Sequence, residues 1–180
     1  AARTPSERAE QVASLFTGIR LECANCHNHP FERWTQANYH SFAAFFVQVR
    51  LVNRNENGQQ ISTVDLGGPQ VYRGPDQKEV SPAVLGDQPV DVPRAGDRRE
   101  ALARWLTAPE NPFFARALAN RLWAAMFGRG IVDPVDDFRS TNPPSHPALL
   151  DALAEELIRS GFSARHLLRL IANSTTYQLS

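Results

Sequence analysis

The sequence predicts a mainly α-helical chain: a helical segment around a cysteine–histidine cluster, an irregular connection rich in glycine and proline, then a compact four-helix unit. Three observations predict it. Apolar residues recur at helical spacing before residue 50 and after residue 97, capping residues head those runs, and Gly and Pro pairs crowd the stretch between them. With 180 residues the chain makes one domain or two small ones, divided here into 1–50, 51–96 and 97–180.

Taken in order, Ser6 reads as an N-cap, with Glu7 and Glu10 in the first turn where the helix dipole favours acids. Val12, Leu15, Phe16 and Ile19 then form an apolar stripe expected to face inward. The cysteines follow, and Pro30 ends any helix begun there. A second stripe runs through Trp34, Tyr39, Phe42, Phe45 and Phe46; such a run serves as plain core or as a wall for a flat apolar ligand. Between residues 51 and 96, the polar turn 53–58 and the pairs Gly67-Gly68, Gly74-Pro75, Ser81-Pro82 and Gly86-Asp87 interrupt any long element. Ile61, Val64, Val71 and Val80 suit short strands, so this stretch is a linker, a small β-ribbon or a binding loop.

From Asp97 the pattern is helical. Asp97 caps a helix with Leu102, Trp105 and Leu106 inside, and Asn111-Pro112 opens the next, with Phe114, Leu118, Leu122 and Met126 inside and Gly128 closing it. Ser145 is expected to cap a helix carrying Leu149, Leu150, Leu153, Leu157 and Ile158, ended by Gly161. Ser163 caps the last, which carries Leu167, Leu168, Leu170 and Ile171. Short loops join these helices, as in a compact bundle.

The formal net charge is zero and no basic block marks a nucleic-acid surface. No run of about 18 apolar residues is present to span a bilayer. The chain opens Ala1-Ala2-Arg3-Thr4, without a signal peptide's charged and apolar regions, and reads as a trimmed product or an internal fragment. G-x-S-x-G, H-E-x-x-H and phosphate-cradling glycine loops are absent, and the acids Asp133, Asp136 and Asp137 lack EF-hand spacing.

The chemistry concentrates in Cys23-Ala24-Asn25-Cys26-His27, which holds both cysteines of the chain. C-x-x-C-H is the pattern of covalent c-type haem attachment: each thiol adds to a vinyl group and the histidine binds the iron as proximal ligand. With His29 the segment becomes C-x-x-C-H-x-H, whose two thiols and two imidazoles are also zinc-ligand types, although four donors within seven residues wrap poorly into a tetrahedron. A dithiol–disulfide couple and an inert local disulfide stand beside these readings. For the other axial position, or a supporting contact behind the ligand, the candidates are His29, His40, Met126 and His146. Met126 lies on a strongly apolar helix and suits core packing, and His146 heads a helix as capping histidines do.

Two further stretches carry a resemblance. Cys23, Cys26, His27, His29, Pro30, Phe31, Trp34, Gln36, Tyr39, Ala43, Ala44, Phe45 and Phe46 resemble the end of the cytochrome-like domain common in secreted planctomycete proteins. Asn28 and Glu32 stand where that family usually has aspartates, and His40 where it often has a second tyrosine. Residues 97–103, Asn120-Arg121-Leu122-Trp123, Phe127-Gly128-Arg129-Gly130, Asp136-Asp137-Phe138, Pro144-Ser145-His146-Pro147 and Ser174-Thr175-Thr176-Tyr177 are similar to the domain of unknown function that normally follows it. The resemblance implies a piece of a longer exported protein, periplasmic or extracellular, with Cys23, Cys26 and His27 binding haem c. The expected function is electron transfer with an unidentified redox partner protein, without nucleic acid or a membrane span. The alternative is a structural or interaction module stabilised by zinc or a local disulfide. An electron carrier is expected ahead of a catalyst.

Overall fold

The first helix, α1 (Pro5–Val12), starts two residues earlier than its sequence suggests. Thr4 is its cap. Its Oγ1 accepts from the Glu7 amide at 3.1 Å while the Glu7 carboxylate accepts from the Thr4 amide at 3.2 Å. Ser6 is therefore inside the helix, because Pro5, lacking an N–H, fits the first helical position. The computed structural model describes residues 4–56, 59–86, 90–93 and 96–179. Asn57 and Gly58 of the polar turn, Asp87, the opening Ala1-Ala2-Arg3 and Ser180 lie outside the described residues.

The chain divides into two units, one of Ala1–Gln11 with Leu21–Trp105, the other of Val12–Arg20 with Leu106–Ser180. At Ala13–Thr17 the backbone takes one π-helical turn, ended at Gly18. The wider turn rotates the apolar stripe away from its expected direction. Ala13, Thr17 and Ile19 are buried, whereas Leu15 and Phe16 are 54% and 41% exposed, correcting the inward placement of those two.

In the first unit α2 (Gln36–Ala43) continues into a 3-10 turn at Ala44–Phe46. Thr35 caps it through a reciprocal pair of hydrogen bonds with Asn38. All five aromatics of the second stripe, Trp34, Tyr39, Phe42, Phe45 and Phe46, are buried. Phe42 meets Phe45 and Phe46 edge-on at 6.1 and 6.0 Å between ring centroids, a favoured arrangement of ring quadrupoles. The Tyr39 hydroxyl donates to Glu10 at 2.6 Å, and burial followed by this bond pushes its pKa far up. Next come two antiparallel ribbons: β1 (Arg50–Glu56) with β2 (Gln59–Asp65), Leu51 opposite Val64, and β3 (Tyr72–Arg73) with β4 (Glu79–Val80). Helix α3 (Arg98–Leu106) follows, headed by Asp97, whose Oδ1 accepts from the Arg99 amide at 3.0 Å. Ala101, Leu102 and Trp105 are its buried residues in this unit.

The second unit holds α4 (Phe114–Phe127), α5 (Pro147–Arg159), α6 (Ala164–Ala172) and the short α7 (Thr175–Gln178). Its core gathers Ala119, Ile131, Val132, Leu150, Leu153, Leu157, Leu167 and Ile171. α4 begins two residues later than expected, so Asn111 is not its N-cap and Pro112 is not its first residue; Asn111 Oδ1 instead accepts from the Phe113 and Phe114 amides at 3.0 and 2.9 Å in the turn that leads into the helix. On α4 the buried positions are Ala115, Ala117, Ala119 and Asn120. Phe114, Leu118, Leu122 and Met126, expected inside, are half-buried, the last three packed against this core. Ser145 is not a cap: its hydroxyl donates to the Ile131 carbonyl at 3.0 Å, and α5 begins beyond His146. Leu149 and Leu170, also expected inside, are 36% and 43% exposed. Gly128 and Gly161 end their helices at φ of 76° and 65°, a backbone region that a side chain disfavours. The class is mainly α with small sheets, and no helix among the described residues is long and apolar enough to cross a membrane.

Candidate functional site

The Cys23–His27 segment is a 3-10 turn, Glu22–Asn25, followed by Cys26 and His27. Its anchors are apolar: Leu21 and Ala24 are fully buried, and the Ala24 amide donates to the Leu21 carbonyl at 2.9 Å. With those two inside, Cys23, Cys26 and His27 are left exposed, and both thiols are free. A turn of three residues per revolution separates the thiols by one full turn.

The two histidines of the segment differ in their protons. His27 Nδ1 lies 2.8 Å from the Asn28 carbonyl, and since a carbonyl only accepts, Nδ1 carries the hydrogen. In the neutral ring this tautomer puts the lone pair on Nε2, and the ring is exposed. His29 is the reverse. Its Nδ1 accepts from the amides of Phe31 and Glu32 at 3.2 and 3.1 Å, so its hydrogen is on Nε2. It closes the turn through Pro30, and its own amide donates to the Trp34 carbonyl at 2.8 Å.

Helix α2 holds this loop from beneath. Gln36 Nε2 donates to the carbonyls of Asn25 and Cys26, each at 3.1 Å, and the Gln36 amide donates to Asn28 Oδ1 at 3.0 Å. One turn on, His40 is 7% exposed, its Nδ1 2.9 Å from the Tyr72 hydroxyl and its ring edge-on to Tyr39. Burial holds its pKa below the ordinary histidine range, against the opposing pull of the Asn25 carbonyl and Asp76. Its Nε2 is buried without a well-formed hydrogen bond, the Asn25 carbonyl acting on it electrostatically. Gln36 and His40 also line an open cavity of about 320 Å³ together with Gly74, Pro75 and Asp76. Above the loop, the Arg33 guanidinium sits 4.8 Å over the Trp34 ring, and Phe31 is 71% exposed.

Of the residues the sequence singles out, the structure leaves Cys23, Cys26 and His27 outward on one short segment and engages His29 and His40 elsewhere. Met126 is half-buried against the core of the second unit, and His146 is exposed, its Nδ1 3.3 Å from the Ser145 hydroxyl. Among the described residues no group of three or more His, Cys, Asp or Glu side chains is gathered to hold a metal ion. Gln36 and Asn28 are the site residues that sequence reasoning passed over. Their signal was present as one polar residue directly behind His27 and another at the head of the aromatic helix.

Comparison with family models finds two matches. Residues 1–51 match PSCyt2, a protein of unknown function (DUF1549), and residues 98–180 match PSD1, a protein of unknown function (DUF1553). No curated protein matches the chain, and no solved structure does.

Proposed function

We propose that the chain is a c-type haem-binding redox module, with Cys23 and Cys26 as the thioether donors and His27 as the proximal ligand. The observation that carries this is the proton arrangement at His27: Nδ1–H is tied to the Asn28 carbonyl and Nε2 is free on an exposed ring. Metal-binding histidines are oriented in this way, by donating the second ring hydrogen to a carbonyl or carboxylate. The donor set fits as well. Two free, exposed thiols one turn apart each add S–H across one vinyl double bond, a step that consumes no oxidant. When bound, haem supplies a one-electron iron couple.

The remaining tasks fall to the chain. Leu21 and Ala24 root the turn in the core, so that exposure of the thiols costs no apolar contact. His29 shapes the loop and does not ligate, because Nδ1 is occupied by two amides and Nε2 carries a proton. His40 is committed to Tyr72 and lies under the loop. Met126 serves packing and His146 the head of α5. The names of the two matched models are known from planctomycete-type proteins, while the reading of the first stretch as the end of a cytochrome-like domain in a longer exported protein rests on its C-x-x-C-H pattern. The proposed location is periplasmic or extracellular, and the proposed partner another redox protein.

The test is maturation in a bacterial periplasm equipped for covalent haem attachment. A Soret band that survives acid–acetone extraction, with intact mass raised by one haem, is the expected result. A colourless chain of unmodified mass from that host refutes the proposal. The second reading is an interaction module held by a Cys23–Cys26 disulfide or by zinc, and exposure of both thiols on one turn favours it. Its outcomes are a mass lower by two hydrogens, or stoichiometric zinc on elemental analysis.

A further inference from the structure

We infer that Gln36 and Asn28 form a clamp that fixes the peptide plane leading into His27 and the residue that follows it, and thereby sets the direction and tautomer of the His27 ring; the purpose of the clamp rests on the haem reading above. The geometry brackets His27. Before it, one amide group, Gln36 Nε2, spans two successive carbonyls, Asn25 and Cys26. After it, Asn28 Oδ1 takes the Gln36 amide hydrogen, which as a first-turn helix N–H has no partner within the helix. The Cys26 carbonyl belongs to the peptide unit that leads into His27, and the Asn28 carbonyl receives the His27 ring hydrogen. With the preceding peptide and the Asn28 side chain both tied to the start of α2, the ring meets its acceptor without searching for it.

The residue types follow from the chemistry. Only a side chain with two hydrogens on one nitrogen, on a stem of this length, bonds two adjacent carbonyls at once, and Gln provides it. Glutamate has the same shape but no donor, and would turn a carboxylate toward two carbonyl oxygens. At position 28 only an acceptor is needed, so aspartate replaces asparagine without loss. That difference makes the clamp testable apart from general stability.

The experiment uses the full metal-free chain and its Q36A, Q36E, N28A and N28D variants, read by imidazole nitrogen NMR and by amide hydrogen exchange. The wild type shows His27 as one Nδ1–H tautomer and His29 as the Nε2–H tautomer. In Q36A, loss of two net hydrogen bonds raises local opening roughly 30-fold, seen as faster exchange at the Ala24 and His29 amides with α5 unchanged. The His27 tautomers then mix. N28A behaves similarly and N28D like the wild type. Should Q36E fail to fold, Q36A and the position-28 pair carry the test. A His27 ring that keeps its single tautomer, with wild-type exchange, in Q36A and N28A overturns the clamp. Haem-loaded samples separate the two claims. Wild-type chain without haem refutes the proposed function while the NMR result on the clamp stands. Haem-loaded Q36A with an unshifted iron–histidine stretching frequency refutes the clamp alone.

Discussion

Replacing His29 discriminates most sharply between a ligand and a turn-former. In the structure His29 Nδ1 accepts two backbone amides, Phe31 at 3.2 Å and Glu32 at 3.1 Å. A typical intramolecular hydrogen bond nets about 0.5–1.5 kcal/mol, and Phe31 is open to water, which takes over part of the lost bond. H29A is therefore expected to destabilise the loop by about 1–2 kcal/mol, equivalent to roughly 5–30-fold faster exchange at those amides. H29N recovers most of it, because an asparagine carbonyl accepts from the amides two and three residues on, as in an Asx turn. Iron ligation behaves differently. H29A and H29N keep covalent haem and the axial histidine, whereas H27A loses that ligand. The assay is hydrogen exchange on the unloaded chain together with absorption and resonance Raman spectra after periplasmic maturation. If H29A loses the axial histidine as H27A does, or if zinc binding falls equally in both, His29 is a ligand and the tautomer argument fails.

Other perturbations follow from the same contacts. N120A leaves the amide and carbonyl of Val132 unpaired in a fully buried site and is expected to cost about 3 kcal/mol, checked by urea unfolding followed at the Leu157 and Ile171 methyls; a loss below about 1 kcal/mol refutes it. T35A removes the cap of α2 and is expected to cost about 1 kcal/mol, read as faster exchange at the Asn38 amide. The hydrogen bond from Arg20, at 2.7 Å, holds the Asp136 carboxyl below the usual carboxylate range against the opposing effect of burial. A lowered folded-state pKa gives stability that is present above the unfolded value of about 3.9 and lost as pH falls through the folded value. D136N is thus expected to flatten the acid limb of the unfolding curve between about pH 4 and 2, and an unchanged limb would count against the pairing.

Much of the helical framework was legible from short-range chemistry. Asp97 and Ser163 cap through their own side chains, and Gly128 and Gly161 end helices through a backbone angle. Such signals need only neighbours in the chain. The aromatic run from Trp34 to Phe46 was equally plain as a buried surface, and its role as core is visible in the edge-on packing of Phe42 against Phe45 and Phe46. The stripe from Val12 to Ile19 misled because a periodicity argument assumes 3.6 residues per turn, and one π-helical turn breaks the assumption.

The candidate site divides along the same line. The sequence by itself determined which atoms are available: two thiols three residues apart, an imidazole directly behind them, a second two residues on. Only the tertiary structure decided which imidazole is free. Both histidines have the same composition and the same loop, yet one gives its Nδ1 hydrogen to a carbonyl and the other receives two amides on that atom. The partners of those atoms, Asn28, Phe31 and Glu32, are near in sequence, but the loop that presents them is held by α2, through Gln36 to Asn25 and Cys26, eleven and ten residues away. A hydrogen bond fixes a proton by the position of its partner, and here the packing of a helix ten residues on holds the loop in which those near partners are placed.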